Sequence, residues 1–398
     1  MAMLPELIQE VRIFTSELER LAGSAGKWGS VFQLQTKTTN LTFDIICRAA
    51  LGMQFNEQRR PQPSPFKVAF MEQIFFMGLR ASSAWSLRSM VRKPWDNMVA
   101  ARNNEIIRDA VMPQIKTKFE SDANDSQVKT IIDLAIKYVD KDDPSASREK
   151  PNADFVHKLI ANLKAFLFAG HDTTASTICF MMKELQDRPD VMAKVRAEHD
   201  AVLGPEPGKA ADVLQQSPHL LYSLPYTLGV IKETLRLHPL AGSMRVGHPG
   251  HYLTMPGSGT RYPTDDWGIL MSTTAIGQNP EYWPRPNELI PERWTVPEGD
   301  PLHPVQANAW VPFSMGPRNC IGMELALIEL RIVLVLVARR FEIEEAWEDW
   351  DVLRGSKATP NHKIDGKRLY MVGEGTVHPK DAMPVHVRLY DHRPTVSA

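Results

Sequence analysis

Residues 313–322 of this 398-residue chain read FSMGPRNCIG. Cys320 is one of only three cysteines, and it sits among two glycines, an arginine and an asparagine, just ahead of the apolar run 321–341. A core thiol needs apolar neighbours, and the wide spacing to Cys47 and Cys179 has no disulfide or zinc pattern. A cysteine sulfur is a strong metal ligand as a thiolate, a charge that the positive potential and free N–H groups of a helix start favour. Gly316 and Gly322 let the backbone approach a flat, bulky group, and Arg318 can meet an anionic substituent on it. The competing reading is a turn before a helix with an incidental cysteine.

Three further stretches carry chemistry only in combination. In FLFAGHDTTAS, 166–176, glycine, aspartate and two threonines interrupt an apolar helical pattern, and buried polar groups cost free energy unless paired or used. Thr173 and Thr174 can instead bond back to carbonyls one turn earlier and bend the helix. His171-Asp172 would also fit a metal-dependent phosphohydrolase, but no other His/Asp cluster lies near it in sequence. In KETLR, 232–236, Glu233 and Arg236 are three apart and can pair on one helix face. PERW, 291–294, adds Arg293. Taken singly, such pairs are ordinarily solvated.

In this order along the chain, the four stretches resemble the motifs of the cytochrome P-450 family. The resemblance implies haem b, with Cys320 as axial thiolate, a ligand that pushes electron density onto iron and favours O–O cleavage. Phe313, Gly316 and Gly322 would shape the cysteine loop, and Arg318 and Arg245 would reach propionates. Residues 241–244 would line the substrate pocket. Ala169 and Gly170 would make room over the haem, and Asp172 and Thr173 would feed protons to bound dioxygen. Glu233, Arg236 and Arg293 would be structural, holding the scaffold beneath the cysteine loop. The implied reaction is a monooxygenation that hydroxylates or otherwise oxidises an apolar small molecule. Its electrons would come from NADPH-cytochrome P-450 reductase, because no GxGxxG follows a strand here. AGHDTTASTICF and EYWPRPNELIPERW are most similar to fungal enzymes of secondary-metabolite biosynthesis. Desaturation or rearrangement is the alternative within the family, and a haem-free, inactive fragment is the alternative outside it.

These residues need a scaffold, and the composition allows one. The chain is 43% hydrophobic and 23% charged, ordinary for a globular protein with a sizeable core. A net charge of −1 without a basic patch argues against nucleic acid as partner. An intracellular, reducing compartment fits three widely spaced cysteines. Family members usually sit on the endoplasmic reticulum membrane, but no stretch here reaches eighteen uncharged apolar residues.

Apolar periodicity predicts helices over 5–22, 40–52 (Asn40 as cap, Gly52 as stop), 67–120, 127–140, 154–186, 190–204, 225–238 and 321–341. Loops are expected at 57–66, 121–127 and 141–152. WGILMST, RLYMV and PVHVRLY read as short strands. The expected fold is mainly α with a minor β portion, a single cytochrome P-450 catalytic domain over 1–398. Its start resembles a region well inside a family member, so the N-terminal anchor and early strands are expected to be lacking. The family's propionate-gripping Trp-x-x-x-Arg is not found either: Trp95 is followed by Val99, and Trp28 by Phe32.

Overall fold

The computed structural model describes residues 3–83, 87–120, 130–142, 153–355, 362–373 and 376–391. Among them run twelve α-helices: α1 (Leu4–Leu21), α2 (Leu34–Leu51), α3 (Pro65–Ser83), α4 (Leu87–Glu120), α5 (Ile131–Asp142), α6 (Ala153–Asp187), α7 (Pro189–Leu203), α8 (Ala210–Gln216), α9 (Pro225–Leu237), α10 (Thr273–Gly277), α11 (Met323–Ala338) and α12 (Trp347–Arg354). Nine short strands accompany them: β1 (Phe32–Gln33), β2 (Ser243–Val246), β3 (Tyr252–Thr254), β4 (Arg261–Pro263), β5 (Gly268–Met271), β6 (Phe341–Glu345), β7 (Met371–Val372), β8 (His378–Pro379) and β9 (Pro384–Leu389). All pairings are antiparallel: β1-β9-β6 forms one sheet, and β2-β5, β3-β4 and β7-β8 are two-stranded. The result is mainly helical with a minor β portion. No helix among the described residues is long and apolar enough to cross a membrane.

Helix α6 is the spine. Its first half buries Leu159, Leu163 and Leu167 at the four-residue spacing of one helix face, in a cluster with Phe43, Phe66 and Phe70. Its second half is buried nearly all round and joins a larger cluster with α1, α9 and α11. Helix α11 is apolar on every side from Leu330 to Ala338, except for Arg331, which is why it lies inside this core. Pro189 both ends the run of α6 and opens α7, where its missing N–H costs nothing.

Helix α2 departs from the sequence expectation. It begins at Leu34, six residues before Asn40, so Asn40 is an interior residue; its side-chain amide donates to the Glu57 carbonyl (3.3 Å). The polar run QTKTTN carries no apolar periodicity, yet two threonines of α2, one in the run and one just after it, bond to α6. Thr38 Oγ1 donates to the Ala175 carbonyl (3.2 Å) and Thr42 Oγ1 to the His171 carbonyl (2.7 Å). Tertiary hydrogen bonds therefore hold as helix what local preference would not. The expected stop is in place: Gly52 adopts φ 69° and its N–H closes on the Arg48 carbonyl (3.0 Å). Helix α5 starts later than the pattern predicts because Thr130 and Asp133 cap it reciprocally, Asp133 N to Thr130 Oγ1 (3.3 Å) and Thr130 N to Asp133 Oδ2 (2.8 Å). The loops expected at 121–127 and over most of 141–152 lie outside the described residues.

The α2–α6 contact also involves Gly170. A Cβ built there would lie 2.7 Å from the side chain of Ile46, so the glycine admits α2 on the packed side of α6. Ala169, one residue earlier, is exposed. Gly170→Val should therefore cost about 1–3 kcal/mol of stability from overpacking, and Ala169→Val much less. Urea denaturation of the two variants checks this, and equal midpoints would overturn the assignment.

Candidate active site

The cysteine loop precedes α11. Ser314 (φ 61°) and Gly316 (φ 73°) both take left-handed backbone, folding the loop so that the Cys320 N–H donates to the Phe313 carbonyl (2.8 Å). Gly322 caps α11, and its carbonyl accepts from Ala326 N (2.9 Å). A Cβ at Gly322 would stand 3.8 Å from Cys320 Sγ, ordinary contact distance. Cys320 is exposed, whereas Cys47 and Cys179 are wholly buried. Burial pushes the Cys179 thiol up to about 12 and raises Cys47 well above its ordinary value, so neither ionises near neutrality. Cys320 is the one cysteine at the surface.

The surface beside the loop suits a flat apolar group. Ser243 Oγ on β2 donates to Ser314 Oγ (3.3 Å), which ties β2 to the loop. Met244 and Val246 of β2 and Ile321 next to the cysteine are exposed by 69%, 90% and 83%, uncommon values for such residues. Arg245 stands between the first two, exposed, its guanidinium donating only to the neighbouring Met244 carbonyl (2.9 Å). Arg318 is exposed as well, and neither arginine has a carboxylate partner among the described residues. An anionic, largely apolar disc is the ligand such a set fits: one thiol, bare hydrocarbon and two free cations.

Beneath the loop, α9 carries Glu233. Its carboxylate takes two parallel bonds from Arg236, Nε to Oε1 and Nη2 to Oε2 (both 2.8 Å), and a third from Arg293 Nε to Oε2 (3.1 Å). All three side chains are fully buried. The remaining donors end on carbonyls: Arg236 on Gly277, Pro286 and Glu288, Arg293 on Leu302 and Arg285. Desolvation pulls the Arg293 guanidinium below its ordinary value while the Glu233 charge opposes the change.

Two residues that the sequence did not single out connect this network to the cysteine. Trp294 Nε1 donates to Glu233 Oε1 (3.2 Å). Its ring meets Trp310 edge-on at 5.8 Å, and Trp310 meets Phe313 at 5.8 Å. Trp310 is pinned by its Nε1 bond to the Lys232 carbonyl (3.1 Å), and the Lys232 ammonium lies 4.6 Å from the Trp294 ring. Tryptophan following Arg293 in PERW was the available signal for the first of these; Trp310 had none.

On α6 the two expected polar residues point to different surroundings. Thr173 Oγ1 donates back to the Ala169 carbonyl (2.9 Å), as a mid-helix threonine often does, while Thr174 is buried without such a bond. Asp172 is buried on the α2 side, its Oδ1 3.5 Å from His378 Nδ1. His171 turns into the aromatic cluster, edge-on to Phe43 (5.7 Å) and Phe70 (5.8 Å), with Nδ1 2.8 Å from the Leu167 carbonyl. Burial lowers its imidazole below the ordinary value and keeps it neutral. His171 and Asp172 thus face different neighbours and do not converge as a ligand pair.

Comparison with known proteins adds the following. A family model described as Cytochrome P450 matches residues 1–364. Cytochrome P450 monooxygenase polC of Polytolypa hystricis is 34% identical, the match covering 97% of this chain and 68% of that protein. Cytochrome P450 monooxygenase acrF of Aspergillus aculeatus is 28% identical, covering 97% and 78%. A crystallised cytochrome P450 superposes with a TM-score of 0.74 at 22% identity, over 96% of this chain and 77% of that one. That likeness concerns the fold.

The Glu233 network makes a measurable claim. Glu233→Ala leaves two buried guanidinium groups without a counter-charge and should cost about 3–5 kcal/mol in a denaturant titration. Lys194→Ala, which removes an exposed partner of Glu292, should cost under about 1 kcal/mol. Similar losses for both would mean that the buried network is not what holds this region.

Proposed function

The chain belongs to the cytochrome P-450 family, and from that premise we propose that Cys320 is the cysteine that would ligate its haem iron and that α6 serves dioxygen activation. The chain is a cytochrome P-450 monooxygenase, and haem with a cysteine-ligated iron is its cofactor. What supports the choice of residue is one observation: of three cysteines, only Cys320 is exposed, on a left-handed loop at the start of α11. We read residues 1–398 as one catalytic domain.

When bound, the haem supplies the oxygen chemistry: one atom of dioxygen enters the substrate and the other leaves as water. The chain's own residues do the rest. Phe313 accepts the Cys320 N–H and so fixes the turn that aims the sulfur outward. Arg318 and Arg245 would offer guanidinium groups to the propionates, and the exposed Met244, Val246 and Ile321 would cover apolar surface of the bound group. Thr173 holds its hydroxyl proton against the Ala169 carbonyl, and a rotation about χ1 turns that proton toward the exposed side of α6. Asp172, one residue away, is the group that can replace the proton once it is given up. The substrate is an apolar small molecule, and the likeness to fungal monooxygenases favours a secondary metabolite. Electrons arrive from NADPH through a separate cytochrome P-450 reductase.

Reduction under carbon monoxide tests the ligand. The haem-supplied chain should show the red-shifted Soret band of thiolate-bound haem, and Cys320→Ala should lose it. A band that survives in the variant, or none in the parent, sinks the assignment. Thr173→Ala should keep the band but release several-fold more peroxide per NADPH consumed. Unchanged coupling of NADPH to product would remove the proton-delivery role.

A further inference from the structure

The buried Asp172 does not stand alone. His378, at the start of β8, brings Nδ1 to 3.5 Å from Asp172 Oδ1 and to 2.7 Å from Gln35 Nε2 on α2. Gln35 also reaches Ser176 Oγ (3.3 Å), one turn beyond Asp172 on α6. Asp172 and Ser176 are buried, but about a third of the His378 side chain (34%) is open to water. The ring is held in register by the β7-β8 pairing, Val372 opposite His378, and by Val377 N donating to the Leu240 carbonyl (3.1 Å).

One nitrogen cannot serve both neighbours in the same way. Neutral His378, with Nδ1 unprotonated, accepts from the Gln35 amide; protonated, it donates and is drawn to the Asp172 carboxylate. Nδ1 stands nearer the Gln35 amide (2.7 Å) than the Asp172 carboxylate (3.5 Å). The other charged groups of this segment are engaged elsewhere: Lys380 and Arg354 both lie 3.4 Å from Asp381, and Glu184, further along α6, meets His238 at 2.9 Å. His171, next to Asp172, faces the phenylalanines. From α2 the contact is the uncharged Gln35.

We propose that His378 is the solvent-side positioning residue of Asp172, switched between Gln35 and the carboxylate by its own protonation. Protonated His378 turns its Nδ1–H from Gln35 to Asp172 Oδ1 and gives that proton to the carboxylate, leaving the neutral ring to return to its bond with Gln35. Asp172, so recharged, is the proton source for Thr173, its neighbour in the chain. This rests on the reading of Asp172 and Thr173 as the proton-delivery pair of the site.

Histidine-selective NMR of the full chain tests the coupling without any cofactor, with His378→Gln identifying the signal. Asp172→Asn should lower the His378 titration midpoint by about one pH unit, because an opposite charge within reach favours the protonated ring. Gln35→Leu, which leaves both titrating groups in place, should raise it, because the neutral ring loses its donor. A midpoint indifferent to both variants overturns the proposal. In the haem-loaded protein, peroxide release per NADPH should fall as pH drops through that midpoint, and His378→Gln should flatten the profile while keeping the carbon monoxide band. A profile that His378→Gln leaves unchanged overturns the delivery role. Absence of the band in the parent would instead strike at the Cys320 assignment, and the titration would still report on the His378–Asp172 pair.

Discussion

A single carboxylate, Glu233, carries the charge of two buried guanidinium groups, and the geometry of the cysteine loop follows from it. Taking three ionised groups out of water is expensive, so the arrangement persists only because each donor has an acceptor. Arg236 and Arg293 reach five carbonyls from residues 277 to 302 besides the carboxylate. Those bonds gather a long stretch that has almost no regular secondary structure of its own. Trp294 then transmits the position of Glu233, through Trp310, to Phe313, whose carbonyl sets the turn at Cys320. The loop that presents the sulfur is thus irregular in its backbone but anchored on a polar centre that cannot drift without exposing unpaired charge.

Helix α6 is organised by a second constraint, the hydroxyl and glycine contacts with α2. Thr38 and Thr42 bond to α6 carbonyls, and Gly170 lets Ile46 come close. Polar atoms on both helices are satisfied by each other, so the interface is specific where an apolar one would allow sliding. The same interface decides which way Asp172 points. With α2 packed against that side, the carboxylate is buried beside His378, which Gln35 of α2 also meets, while Thr173 remains on the more open side. Two adjacent residues therefore have separate environments, one charged and sheltered, one neutral and accessible.

Much of the site was legible before any coordinates. Phe313, Gly316, Arg318, Cys320 and Gly322 stand together in one decapeptide, and Glu233 and Arg236 share a helix face by spacing alone. The helices α1, α6, α7, α9 and α11 could be read from apolar periodicity and from the glycines and prolines at their ends. The start of α2 could not, because residues 35–40 are polar and show no apolar periodicity, and the partners of Gln35 and Thr38 on α6 are seen only in the fold. Gly170 is a related case: a glycine in a helix announces a close approach but not that Ile46 of α2 is what approaches.

The sequence by itself determined the chemistry: a thiol on a glycine-bearing loop, a carboxylate beside a threonine, and charges spaced to pair. These are properties of residue type and local spacing. The tertiary structure alone decided the environment of each group. It buried Cys47 and Cys179 and left Cys320 exposed, joined Arg293 to a glutamate sixty residues earlier, and brought His378 to Gln35 across 343 positions of chain and beside Asp172. Ionisation and hydrogen bonding depend on desolvation and on neighbours within a few ångströms, and neither is encoded in separation along the chain.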